Sequence, residues 1–230
     1  MNVYEIRLKV FLLKSVKQEE ASAVIASFID SELSKKEEFK KFHQDNQFKN
    51  YVFDQFYPIS KDGIYDKEQV YNFRIRTTDQ ELAEYFIGQL PNHSTACLKG
   101  LTAELRIIPR KQLETLFSIT PIALKNEEGY WKDFMTFDEY EERLKTNLVK
   151  KYNAIMDTKI EEDFPLYTMI ELINHKPIGI HYKGITLLGD KISVKVSSHP
   201  MAQELLYMSL GTGIGEMNSR GLGFLNFRWL

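Results

Sequence analysis

One order of elements, strand, helix, strand, strand, helix, strand, can be read twice along the 230 residues, and two consecutive units of that kind leave few folds open. The first unit opens on "VYEIRLKVFLL", where Tyr4, Ile6, Leu8, Val10 and Leu12 alternate with Glu5, Arg7 and Lys9 as in a half-buried strand. Ser15 and Gln18 make a capping-box pair ahead of Ala21, Val24, Ile25, Phe28, Ile29 and Leu33, which recur at helical spacing. Ser34 and Glu37 make a second pair, opening a short segment that carries Phe39, Phe42 and His43. "YVFDQFYP" and "VYNFRIRT" read as strands on either side of the "SKDG" turn. Thr78 with Glu81 is expected to cap a helix through Leu82, Tyr85, Phe86 and Leu90, and "TAELRIIP" closes the unit.

The second unit is less clean. "LFSITPIALK" is strand-like, and Thr136 with Glu139 caps a helix whose stripe is Phe137, Tyr140, Leu144, Leu148 and Tyr152. Residues 158–188 read as β, and Lys191 to Val196 alternates as a strand. Ser198 and Pro200 start a last helix, and Leu225, Phe227 and Trp229 share one face of a last strand. The expectation is an α+β chain of two tandem ferredoxin-like (RRM-like, βαββαβ) domains, 1–114 and 115–230. The boundary falls near residues 112 to 118, with no Pro- or Gly-rich linker, so the domains should pack closely.

Composition narrows the function classes. The single Cys97 cannot close an internal disulfide, and neither an N-terminal apolar leader nor a run of 18 apolar residues is present, which reads as a soluble, cytoplasmic chain without a membrane partner. A net charge of −2 and a pI near 6.2 mean that any nucleic-acid binding must come from a local basic surface.

"GTGIGEMNSRGLG", residues 211 to 223, holds five of the twelve glycines. It lies between the last helix and the last strand, the reverse of the strand-to-helix order of a phosphate loop or dinucleotide fingerprint, and it has neither spacing, so a nucleotide cofactor is not expected. Two readings stay open: a conformationally demanding connection, or a run of backbone NH groups at Gly211, Gly213, Gly215, Gly221 and Gly223 that holds phosphates together with Arg220.

"LGTGIGEMNSRGLGFLNF" resembles the C-terminal glycine-rich motif of the CRISPR-associated endoribonucleases that cut repeat RNA into guide RNAs, where it lies between the final helix and strand of a second ferredoxin-like domain. "FHQDNQFKNYVFDQFYP" resembles the segment of that family in which a histidine precedes a lysine by six residues; here these are His43 and Lys49. "ITPIAL" extends the resemblance over essentially the whole chain. It implies a metal-independent endoribonuclease with no cofactor, CRISPR repeat RNA as partner, and His43 and Lys49 in the catalytic site; oligomeric state and membership of a CRISPR interference complex stay open. One residue departs from the pattern: the tyrosine that many members place some fifteen residues before the histidine falls on Phe28, which has no proton to give.

The chemistry is coherent on its own terms. RNA supplies its nucleophile, the 2′-OH. Histidine suits proton transfer near neutral pH, and Lys49 can stabilise the developing charge, with a 2′,3′-cyclic phosphate and a 5′-OH as products. Arg74 and Arg76 alternate with Phe73 and Ile75, which puts two guanidiniums on the solvent side of a sheet as candidate phosphate contacts. Arg106, Arg110, Lys111, Lys145, Lys150 and Lys151 are further basic candidates. His93, His175, His181 and His199 read as surface or structural. The alternative is a non-catalytic RNA-binding subunit on the same fold, with His43 incidental.

Overall fold

The structure, a computed structural model, describes residues 1–39, 48–124, 129–182 and 184–230. Its strands are β1 (Val3–Leu12), β2 (Val16–Lys17), β3 (Tyr51–Phe53), β4 (Ile64–Tyr65), β5 (Val70–Thr77) and β6 (Leu98–Ile108), then β7 (Leu113–Ser118), β8 (Tyr167–Leu172), β9 (Ile178–Tyr182), β10 (Ile185–Gly189), β11 (Ile192–Val196) and β12 (Leu225–Trp229). The helices are α1 (Ala21–Leu33), α2 (Gln80–Gln89), α3 (Phe137–Met156) and α4 (Pro200–Thr212). Two four-stranded antiparallel sheets result, β3-β5-β1-β6 and β12-β7-β11-β8, and within each unit the first strand lies between the third and the fourth. Each unit is therefore a ferredoxin-like fold, the first carrying a β2-β4 ribbon and the second a β9-β10 hairpin as additions.

Periodicity explains the layers. Ile6, Leu8, Val10 and Leu12 on β1 join Ile25, Phe28 and Ile29 of α1 and Leu82 and Phe86 of α2 in one core. Leu116 and Val194 join Tyr140, Leu144 and Leu148 of α3 and Leu205 and Leu206 of α4 in the other. Thr136 and Glu139 close the expected capping box on α3, satisfying two backbone donors reciprocally. Other caps differ from expectation. The chain at Val16–Lys17 pairs with Ile64–Tyr65 in place of starting a helix, so α1 begins at Ala21 without a side-chain cap and Ser15 Oγ accepts from the Lys67 NH. Asp79, not Thr78, caps α2, because the Thr78 hydroxyl is spent on Asn50 Oδ1 at 2.6 Å. His199 caps α4, one residue after Ser198.

The two units meet through the polar face of the first sheet, and this overturns the reading of Arg74 and Arg76 as solvent-facing phosphate contacts. Arg76 is only 1% exposed: its Nε donates to Glu5 Oε2 at 2.8 Å and its Nη1 to the Leu225 carbonyl of β12 at 2.5 Å. Arg74 donates from Nε to Asp54 Oδ2 at 2.6 Å and from Nη1 to Asn226 Oδ1 at 3.1 Å. The Phe224 ring lies beneath both guanidiniums, 4.8 Å from Arg74 and 4.3 Å from Arg76. Glu5, which alternation places on a wet face, is 1% exposed for the same reason. Burial pushes its carboxyl pKa up, yet Arg76, with Arg106 and Arg74 behind it, holds the net value below the ordinary one. No helix of the described residues is long and apolar enough to cross a membrane.

Candidate functional site

Gly211 stands in the last turn of α4, and the remaining glycines form the loop from there to β12. Gly213, Gly215, Gly221 and Gly223 all have positive φ, a conformation side chains resist. The space beside them is taken: a Cβ at Gly213 would run into the Asn218 side chain, one at Gly215 into Ile122, one at Gly221 into Phe53, and one at Gly223 into the carbonyl oxygen of Ile214. At Gly211 it would press on Thr77 and Thr78 of the first unit. The glycines permit a closely packed knot.

That packing decides between the two readings of the loop. The NH groups of Gly213, Ile214, Glu216, Gly221 and Gly223 are spent on the carbonyls of Ser209, Gly223, Ala123, Asn218 and Pro121, and all five glycines are buried. Those donors are therefore taken, and for Gly213, Gly221 and Gly223 the expected role of NH phosphate contact is corrected to one of shape. The loop's inner polarity is the opposite of an anion site. Carbonyl oxygens of Gly213 (2.9 Å) and Gly215 (2.8 Å), with Asn218 Oδ1 (2.7 Å), accept from the ammonium of Lys151 on α3. Asn218 Nδ2 donates in turn to the carbonyls of Ile214 and Leu222, both at 3.0 Å, so one carboxamide ties the two limbs of the loop. Burial pulls the Lys151 pKa down to about 7 against the pull of Glu216, while three oxygens match the three N–H donors of the charged form. Lys151 is thus no surface contact for RNA; its place on the buried side of α3, three residues past Leu148, is the sequence signal that gives it away.

The segment that carries Lys49 lies along this loop. The Phe48 ring covers Lys151 Nζ at 5.0 Å, and the Asn50 carbonyl and side-chain oxygens accept from Thr77 and Thr78, the residues that Gly211 abuts. Tyr51 is buried against Asp30 and Ser219, and burial, with the Asp30 charge, pushes its phenol pKa up. Phe53 fills the space beside Gly221. Arg220, at the loop's tip, pairs with Asp30 of α1 and is 18% exposed at its side chain. Lys49, partly exposed, therefore stands where the first unit's α1 and β3 meet the second unit's glycine-rich loop. His43 lies outside the described residues.

The C-terminal model of the CRISPR associated protein Cas6 family matches residues 102–227, more than half of the chain. The chain belongs to the Cas6 family. Cas6 proteins process CRISPR repeat RNA, and the homologues are endoribonucleases. Among solved structures, a CRISPR associated protein Cas6 superposes with a TM-score of 0.69 at 21% identity, covering 98% of this chain and 99% of its own. An RAMP protein described as binding different RNA substrates gives 0.71 at 17% identity over 98% and 99%. A Cas6-related protein of Pyrococcus furiosus gives 0.69 at 18% identity over 98% of both. At these identities the likeness concerns the fold, which it extends over both units. No curated protein matches the sequence.

Within this Cas6 frame, Phe28 is a core residue: it is 0% exposed, its ring 4.8 Å from that of His93. His93 is structural. Its Nδ1 lies 2.7 Å from Glu32 Oε2 and its Nε2 2.7 Å from Ser31 Oγ, and burial, opposed by Glu32, lowers its pKa. Ser31 also donates to the Phe28 carbonyl, and Ser27, one residue before Phe28, is exposed.

Proposed function

We propose that this Cas6-family chain is a metal-independent endoribonuclease that cuts CRISPR repeat RNA within precursor transcripts. The observation that carries the reading is the laying of the Lys49 segment against the glycine-rich loop, so that two motifs far apart in sequence stand at one junction. In this reading His43 moves a proton at the scissile phosphate while the neighbouring 2′-OH attacks phosphorus. The P–O5′ bond then breaks, leaving a 2′,3′-cyclic phosphate and a 5′-OH. Lys49 stabilises the negative charge that builds on the phosphoryl oxygens. Arg220 and the loop fix the wall against which the RNA backbone lies. Phe28, sealed in the core without a hydroxyl, is the observation that favours a second reading, an RNA-binding subunit that does not cut.

Single-turnover cleavage with protein in excess separates them. His43→Ala should lower the rate by about 100- to 10,000-fold with RNA affinity nearly unchanged. Lys49→Ala should lower the rate and also loosen binding slightly, since a cation meets the phosphate before and during reaction. Wild-type cleavage by a folded His43→Ala variant would remove His43 from the mechanism.

A further inference from the structure

We propose that Lys151 is a positioning residue, whose ammonium holds the glycine-rich loop and the Lys49 segment in one fixed relation; its catalytic consequence rests on the function proposed above. Taking an ammonium out of water is costly, and buried ions are often no more stabilising than apolar side chains of equal volume, so stability is a poor reason for a lysine at this point. A point charge with three donors supplies geometry instead: three oxygens must stand at hydrogen-bond distance around one nitrogen. The loop needs such a constraint, because its turns at Gly213 and Gly215 carry no side chain of their own, and these are the residues whose carbonyls Lys151 holds. Through Asn218 the same nitrogen fixes the far limb at Leu222. Its other neighbour is the Phe48 ring, one residue before Lys49 and part of the first unit. Glu216 is the charged group that acts on the ammonium from the loop, and Glu216 pairs with Arg143 of α3. Helix α3, the loop and the 48–53 segment thus meet at one atom. A guanidinium, whose donors spread over a planar fork, cannot present three N–H groups from a single nitrogen.

Two measurements on Lys151→Met, which removes the charge and keeps an unbranched side chain, test the inference. In the free protein, backbone amides of 213–223 and of 48–53 should lose hydrogen-exchange protection together, by about tenfold or more, while those of β1 and β7 stay as in wild type. In single-turnover cleavage the rate should fall by about 100-fold with RNA affinity held within about threefold, the signature of a displaced catalytic group. Added to Lys49→Ala, Lys151→Met should cost little more, because it acts through Lys49. Faster exchange confined to the loop, or full multiplication of the two losses, overturns the inference. Should Lys151→Met lack a cooperative melt, Phe48→Leu, which leaves the loop's carbonyl contacts to Lys151 intact, decides: protection at 48–53 and the cleavage rate should both fall while 213–223 stays as in wild type, and unchanged exchange at 48–53 or an unchanged rate overturns it. Wild-type protein that binds repeat RNA without cutting it sinks the nuclease reading alone, since the exchange coupling is read without RNA.

Discussion

At Gly223 the backbone has φ +69, and a methyl group would overlap the Ile214 carbonyl that the loop folds against. Gly223→Ala should therefore cost more than about 1 kcal/mol, read as a lower urea midpoint at unchanged slope. Gly221→Val has to displace the Phe53 ring, which fills the core of the first unit, so it should lower stability and RNA binding together and not binding alone. Gly88→Ala is the control: it lies inside α2 with open space beside it and should be neutral or stabilising by about 0.5–1 kcal/mol. The crowding of glycine was visible in the sequence, but its cause was not. Five glycines in thirteen positions suit a phosphate cradle as well as a packed knot, and what separates the two is the carbonyls that take the loop's NH groups, together with Asn218 and Lys151 inside the turn.

At the scale of strands and helices, hydrophobic period was a sufficient guide. The alternation in β1 and the stripe of α3 fall where expected because each buries one face against one core. The misread features depend on distant partners. Ser15 and Gln18 form a capping box in sequence, but β4 recruits Val16–Lys17, and nothing local to residues 15–18 foretells that pairing. The arginine face of β5 reads as solvated because a strand's second face is wet by default, and here β12 covers it. The Glu5–Arg76 pair that results makes a pH prediction. Glu5 has its folded-state pKa lowered below 4.5, so its contribution is complete above the unfolded value and is lost as pH falls through the folded one. Stability should drop on acidification below pH ~4.5, and part of that slope should vanish in Glu5→Gln. At neutral pH Glu5→Gln leaves the Arg76 guanidinium buried with its carboxylate gone, at a cost of about 3–5 kcal/mol by chemical denaturation. Equal acid slopes in the two proteins would mean that Glu5 does not couple to folding.

For the molecule as a whole, two ferredoxin-like units were legible because their element order repeats. Their mode of contact was not, since it rests on Arg76 against Phe224, Phe48 against Lys151 and Phe53 against the loop at Gly221, each pair more than a hundred residues apart in sequence. With a net charge of −2, RNA can be held only through localised contacts, so affinity should fall steeply between low and moderate salt as counterions are released. A flat salt dependence would point to a partner other than a phosphate backbone. On the function proposed above, the chain cuts repeat RNA with its own side chains. The direct test is single-turnover incubation of excess protein with the repeat RNA that flanks its gene, in excess EDTA, followed by analysis of both new ends. Cleavage at one phosphodiester, leaving a 2′,3′-cyclic phosphate and a 5′-OH, is the predicted result; RNA bound but intact, or cleaved only when a divalent cation is restored, would contradict it.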